Sequence, residues 1–221
     1  MRRAAAGSPG TRGRIDKRQA ILDAAFLVFA REGYAQASVD AIAAEAGVAK
    51  PTIYNHLDSK ENLFVRAMTA TAEKATARSR AVVTRLAVDA ADLHTALADV
   101  GEGLLGCYCS AESWALRRLL NAEIVRFPKL FDAIGASGPD QVEEAFADRL
   151  ARFALAGRLT LTDPVEAAEQ FLALITGPVA TRSALGTRPL DATQVRRVAE
   201  AAATTFLRAF ATAPADLPTV G

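Results

Sequence analysis

From about Asp16 to Glu32 the apolar residues Ile21, Ala24, Ala25, Val28 and Phe29 recur at i, i+3, i+4, i+7 and i+8, the spacing of one buried helix face. Gly33 is expected to end this helix as a left-handed C-cap, with Tyr34 packing back on the last turn. Ser38 then caps a short helix, VDAIAAEA, that stops at Gly47; a second short segment, KPTIYNH, follows; and Ser59 caps a helix that opens KENLFVRAM and runs to about Leu86. Further helices are predicted at roughly Ala91–Cys109, Ala111–Arg126 and Pro128–Gly135, and Gly138-Pro139-Asp140 opens another to about Ala156, with Val142, Phe146, Leu150 and Phe153 on one face. Asp163-Pro164-Val165-Glu166 combines an N-cap, a proline at the first helical position and a glutamate at N3. The helix it starts presents Ala168, Phe171, Leu172 and Ile175 before Gly177-Pro178, where a kink or interruption is expected. Asp191 and Gln194 repeat the capping pattern ahead of a last helix with Val195, Val198, Ala202, Phe206, Ala209 and Phe210 on one face. Period-two alternation of β-branched residues is absent, so the fold class is all-α.

This pattern divides the chain into a flexible basic arm (1–13), a three-helix unit (14–60), a larger helical body (61–212) and a flexible tail (213–221). Composition agrees: 51% hydrophobic and 23% charged residues over 221 positions suffice for a buried core and exclude a disordered chain. The longest stretch without charge, Gln170–Thr181, has 12 residues, short of the roughly 18 a membrane span needs. The N-terminal MRRAAAGSPGTRGR lacks the apolar region of a secretory signal, so a cytoplasmic location is expected. Cys107 and Cys109, two apart on a helix, would point to different sides, which favours buried packing over a disulfide or zinc site. No metal or cofactor is expected. Net charge is only +1, yet residues 1–60 carry nine Lys/Arg against six Asp/Glu, and the first 18 residues alone carry six against one. A basic arm of this kind suits a polyanion partner, or is simply a solvated tail.

The stretch richest in chemistry is Ser38–Phe64, SVDAIAAEAGVAKPTIYNHLDSKENLF. Two short helices meet at a tight turn around Gly47-Val48, the geometry of a helix-turn-helix, whose second helix enters the major groove of DNA. Ile42, Ala43 and Ala46 supply a small core, while Lys50, Thr52, Tyr54, Asn55 and His56 crowd polar groups onto the second helix. An ordinary helical hairpin would not need them.

The run GVAKPTIYNHLDSKENLF resembles the signature of the TetR (tetracycline repressor) family, with Gly47, Val48, Thr52, Ile53, Tyr54, His56, Ser59, Lys60 and Leu63 matching and Ala49 standing where Ser or Thr is commoner. The resemblance implies that Ser38, Thr52, Tyr54, His56 and Lys60 contact phosphate and that Lys50, Pro51 and Asn55 face base edges, with Tyr54 a candidate for both roles. Elementary physics fits: Ser38 and Ser59 begin helices whose unpaired N–H groups favour an anion, and Lys60 opposes the dipole of its own helix, as it would beside an external phosphate. Asn55 has the groups to read adenine and Lys50 those to read guanine.

Residues 111–180 show a second similarity, to AefR-like C-terminal domains of that family, through the RFP and DPVEAAEQF segments and apolar spacing. It implies that residues 61–212 form a ligand-binding and dimerisation domain whose last two helices, Pro164–Leu185 and Ala192–Ala211, build a homodimer through a face carrying Phe171, Leu174, Val198, Phe206 and Phe210. For each of these residues, packing within one chain is the alternative. Five aromatic residues of this half, Trp114, Phe127, Phe131, Phe153 and Phe171, together with Leu104, Cys107, Tyr108 and Leu174, are candidates to line an apolar effector pocket, with Arg118 one turn after Trp114 as a candidate anion contact. His94 lies apart from any Ser–His–Asp ordering, Gly-rich phosphate loop or HExxH motif and reads as a structural residue; Glu143-Glu144 and Arg117-Arg118 read as helix surface. The expectation is a sequence-specific DNA-binding regulator, not an enzyme. Its partners would be double-stranded operator DNA with an inverted repeat and a small-molecule effector, with no membrane. The alternatives are a helical ligand-binding or catalytic protein that leaves its N-terminal module unused, and an architectural DNA-binding protein that senses nothing.

Overall fold

The computed structural model describes residues 9–55 and 57–212, and among them ten α-helices follow one another: α1 (Pro9–Gln36), α2 (Val39–Ala46), α3 (Lys50–Tyr54), α4 (Lys60–Val83), α5 (Leu93–Tyr108), α6 (Ala111–Glu123), α7 (Pro128–Ser137), α8 (Pro139–Leu155), α9 (Pro164–Arg182) and α10 (Ala192–Phe210). None of these is long and apolar enough to cross a membrane. The expected tail 213–221 and the first eight residues of the arm lie outside the described residues.

Three expectations need correction. Residues 9–14 belong to α1 and are not part of a loose arm; once a helix is nucleated, each added residue gains a hydrogen bond, and a proline is tolerated in the first turn. Gly33 has a positive φ (77°) but a ψ of 164°, so it is not a left-handed cap. It occupies a region open essentially only to glycine, which bends the helix and turns Tyr34 inward. Gly177-Pro178 does not interrupt α9, which continues to Arg182. Proline forfeits its own N–H bond to the carbonyl of residue 174, and this loss falls close to the helix end, where few ladder bonds remain to be disturbed.

The chain divides into two compact units, the first comprising residues up to Thr71 together with Leu116–Phe131, the second Ala72–Ala115 and the residues from Asp132 on. The first unit therefore includes a stretch that the sequence boundaries assign to the larger helical body. Its core gathers Ile21, Val28 and Phe29 of α1, Ile42 of α2, Ile53 of α3, Leu57, and Leu63, Phe64 and Met68 of α4, all essentially solvent-free. Four rings form one cluster: Tyr34 lies 5.9, 4.9 and 5.0 Å from Phe29, Phe64 and Phe127, and Phe64 lies 5.0 and 5.1 Å from Phe29 and Phe127. Burying each such ring contributes about 1.5–3 kcal/mol before edge-to-face preferences are added.

In the second unit α5 packs along α10 and α8 along α9. Gly101 allows a close crossing, since a Cβ there would lie 3.3 Å from Ala199 Cβ and 3.4 Å from the Phe171 ring. A file of rings, Phe146–Phe171–Phe206–Phe210, runs through the unit with successive centroids 5.1, 5.4 and 4.8 Å apart. The polar seam between α5 and α10 is closed by Arg196, whose Nη1 donates to Asp99 and Glu102 and whose Nε donates to Glu200. His94 Nε2 sits 2.9 Å from the Thr204 hydroxyl, which itself donates to the Glu200 carbonyl, so His94 serves packing as expected. Cys107 and Cys109 are half-buried, not fully buried, and no disulfide joins them. After α9 the backbone turns through three residues of positive φ, Ala184, Leu185 and Gly186, and Gly186 lies so close to Trp114 that a Cβ would collide with the indole. Between α8 and α9, Leu159 forms an isolated antiparallel bridge with Ala211, and Arg158 Nη1 donates to the carbonyl of Ala90 at 2.5 Å.

Candidate nucleic-acid interface

The geometry of the helix pair starts at its caps. Ser38 has extended backbone, and its Oγ accepts from the Ala41 N–H at 3.0 Å, which fixes the start of α2. Gly47 ends that helix in the left-handed conformation (φ 64°, ψ 34°), and the N–H of Val48 closes on the Ala43 carbonyl. Ala49 gives α3 no side-chain cap, and Pro51 stands in its first turn, where a missing N–H removes no ladder bond. Ile42 and Ile53 anchor the pair to the core. As a result Ser38, Lys50, Pro51, Tyr54 and Asn55 are exposed and Thr52 is half-buried; Tyr54, a large ring that would ordinarily be covered, keeps 44% of its surface open. His56 lies outside the described residues.

Two cations behave differently from the sequence reading. Lys60 is half-buried: its Nζ donates to the Ala35 carbonyl at 3.1 Å, at the end of α1, and stands 4.8 Å from the centre of the Tyr34 ring. An internal carbonyl and an aromatic face thus already stabilise the ammonium in the first turn of α4, so its place there does not by itself call for an external phosphate. Arg126 covers the same ring at 4.5 Å. Burial pushes the Tyr34 phenol up, and Arg126 opposes that shift. Lys50 Nζ donates to the carboxylate of Asp40 at 2.8 Å, a contact that raises its affinity for its proton. Asp40, in the first turn of α2, was not singled out from sequence. Ten positions before Lys50, it carries no spacing signal that would have joined the two. Lys17 and Arg18 of α1 are exposed, while the side chains of Arg12 and Arg14 lie outside the described residues.

The candidate effector residues do not come together as one lining. Phe127 is a member of the first unit's ring cluster. Phe153 and Phe171 are fully buried in the second unit's core, which also holds Leu104 and Trp114. Trp114 meets Tyr108 edge-on at 5.4 Å, and Cys107 is half-buried nearby in sequence on α5. Arg118 is exposed, and the side chain of Phe131 lies outside the described residues. Of these candidates Leu174 lines a cavity of about 500 Å³ between α9 and α10, together with Gln170, Ala173, Pro178, Thr205, Phe206, Ala209 and Phe210. Of the expected dimer-face residues, Phe171, Val198 and Phe206 are buried within the chain, whereas Leu174 and Phe210 are half-buried at this groove.

Comparison with known proteins covers both parts. Residues 21–67 match the family model for bacterial regulatory proteins of the tetR family, and residues 95–212 match that for the C-terminal domain of AefR-like transcriptional repressors. The chain is 28% identical over 171 residues to the HTH-type transcriptional repressor AcnR of Corynebacterium glutamicum, an overlap of 77% of this chain and 84% of the relative. Its structure matches that of a TetR-family transcriptional regulator from Mesorhizobium loti with a TM-score of 0.83 at 26% identity, covering 90% of this chain and 98% of the other. The flavonoid-responsive regulator FrrA matches with a TM-score of 0.70 at 32% identity, covering 89% and 97%. With a capped helix pair offering polar side chains to solvent and both parts of its length matched, the chain belongs to the TetR family of transcriptional regulators.

Proposed function

We propose that the protein is a homodimeric repressor that works in the cytoplasm, reads an inverted-repeat operator through α2 and α3, and leaves the operator when a hydrophobic or aromatic small molecule binds. The observation that carries the reading is the exposed row Lys50, Pro51, Tyr54 and Asn55, held on a helix pair that Ile42 and Ile53 anchor to the core. Ser38 and Thr52 flank the row as phosphate contacts: Ser38 Oγ accepts from the protein, and its O–H is a donor that a phosphate oxygen can take. The groove between α9 and α10 supports association through those helices, since an apolar lining of this kind gains by being covered. Two equivalent recognition helices then require half-sites spaced by about one DNA turn or a multiple of it.

The effector class rests on the aromatic content of the C-terminal half and on the 32% identical relative described as flavonoid-responsive. Release demands that the effector bind the DNA-free conformation more tightly, because a ligand with equal affinity for both states shifts nothing. One experiment tests the chain of claims. The protein is used to select duplexes from a random 30-bp library, and the selected site is then titrated with flavonoids and other lipophilic aromatics. Band shift is followed together with the fluorescence of Trp114, the single tryptophan. An enriched inverted repeat and a compound that quenches Trp114 while releasing DNA are expected. A library that yields no enriched site refutes DNA reading and favours a helical binding or catalytic protein; an enriched site that no compound releases refutes the effector.

A further inference from the structure

Asp40 is an oddity on a surface meant for a polyanion. Its carboxylate is 70% exposed beside the recognition helix, where it would meet DNA as a like charge. It also holds the one lysine that α3 carries: Lys50 Nζ donates to Asp40 Oδ2 at 2.8 Å, with the Lys50 side chain 45% exposed. We propose that Asp40 is a positioning residue that turns Lys50 from a phosphate anchor into a base reader, so that the pair sets operator selectivity instead of raw affinity. This rests on the reading of α2 and α3 as the DNA-contacting pair.

The argument is one of charge and of donors. A lone lysine on this surface would neutralise a phosphate anywhere along a duplex and release a counterion, strengthening binding to all sequences alike. Paired with Asp40 it brings no net charge, so general attraction is cancelled at this point. The ammonium has three N–H donors, and Asp40 takes one in the observed geometry. The remaining two suit a site with two acceptors side by side, which the major-groove edge of guanine offers through N7 and O6. A phosphate near the same position meets the carboxylate as well as the ammonium and is disfavoured. Asp40 is placed for this by the start of α2, which Ser38 caps, and Lys50 by the turn at Gly47; the contact thus joins the two helices across their turn.

The test compares wild type, Asp40→Asn, Asp40→Glu, Lys50→Met and the double variant on two 30-bp duplexes: the site selected by wild type and a random-sequence control. For Asp40→Asn the salt slope on the control should steepen by about one unit per protomer. Its preference for the selected site over the control should fall about tenfold per half-site, the discrimination carried by one good base contact. Reselection should relax a guanine at one position of each half-site. Asp40→Glu should restore part of the preference, and Asp40→Asn should change neither slope nor preference when Lys50 is already methionine. Thermal unfolding of each variant separates these effects from loss of an acidic residue in the first turn of α2. If Asp40→Asn matches wild type in slope and preference, or acts equally in the Lys50→Met background, the proposal is wrong while DNA reading stands. If wild type enriches no site at all, both fall together.

Discussion

The two units use the same kind of residue, clustered phenylalanines, and finish the cluster in opposite ways. In the first, Phe29, Tyr34, Phe64 and Phe127 are bordered by Lys60 and Arg126, which lay their charges on the Tyr34 ring at 4.8 and 4.5 Å. In the second, the file from Phe146 to Phe210 runs out into the apolar groove between α9 and α10. Each border fits a different kind of neighbour. Cations seated on a ring, Lys60 on the Ala35 carbonyl as well, keep their charge while being held in place, as the proposed contact with a polyanion would require. A half-covered ring such as Phe210 gains by further burial, which suits a surface facing another apolar one.

The largest effect is expected inside the second file. Phe206 is 1% exposed and touches both Phe171 and Phe210. Phe206→Ala should cost about 3–5 kcal/mol in denaturant-induced unfolding. A loss below about 1 kcal/mol would mean that the file is not a packed core. A second contrast lies in two glycines of positive φ. Gly47 in the first unit (φ 64°) has open space where a Cβ would go, whereas Gly186 in the second (φ 83°) faces the Trp114 indole. Gly47→Ala should cost about 1–2 kcal/mol for conformation alone. Gly186→Ala should cost more and shift Trp114 emission; equal losses with unmoved emission would show that the loop yields freely. The smallest effect concerns the cationic border. Lys60→Ala removes the bond to the Ala35 carbonyl and the charge over Tyr34, worth together about 1 kcal/mol at a half-exposed position. Two N–H donors of this ammonium remain for a phosphate, so the salt slope of operator binding should also drop by about one unit per protomer. An unchanged slope would leave Lys60 a support of the first unit only.

The helices were legible because their caps are local: Ser38, Gly47, Asp163 and Asp191 all act where the sequence predicts, the last in a full capping box with Gln194. The exposed row Lys50, Pro51 and Tyr54 of α3, with Asn55 just after it, was legible for the same reason, since its members are near neighbours in the chain. What the sequence left hidden depends on residues distant in the chain. Phe127 looked like pocket lining because aromatic content alone cannot say which cluster a ring joins; it completes the one around Tyr34. The contact of Lys60 with the Ala35 carbonyl was hidden because the two lie 25 positions apart. Phe171 and Val198 share helices with groove residues, and only the packing of α9 on α10 decides which rows turn inward.

One further consequence follows from the bridge between Leu159 and Ala211. A non-helical connection such as that between Leu155 and Pro164 would ordinarily be among the first parts of a helical protein to open, having few backbone bonds of its own. Here the N–H of Thr160 donates to the Phe210 carbonyl at 2.8 Å, and that of Thr212 donates to the Arg158 carbonyl at 3.2 Å. The connection and the last turn of α10 therefore exchange bonds in both directions. In the language of hydrogen exchange the two are expected to open as one unit, with similar protection of the Thr160 and Thr212 amides although 52 positions separate them.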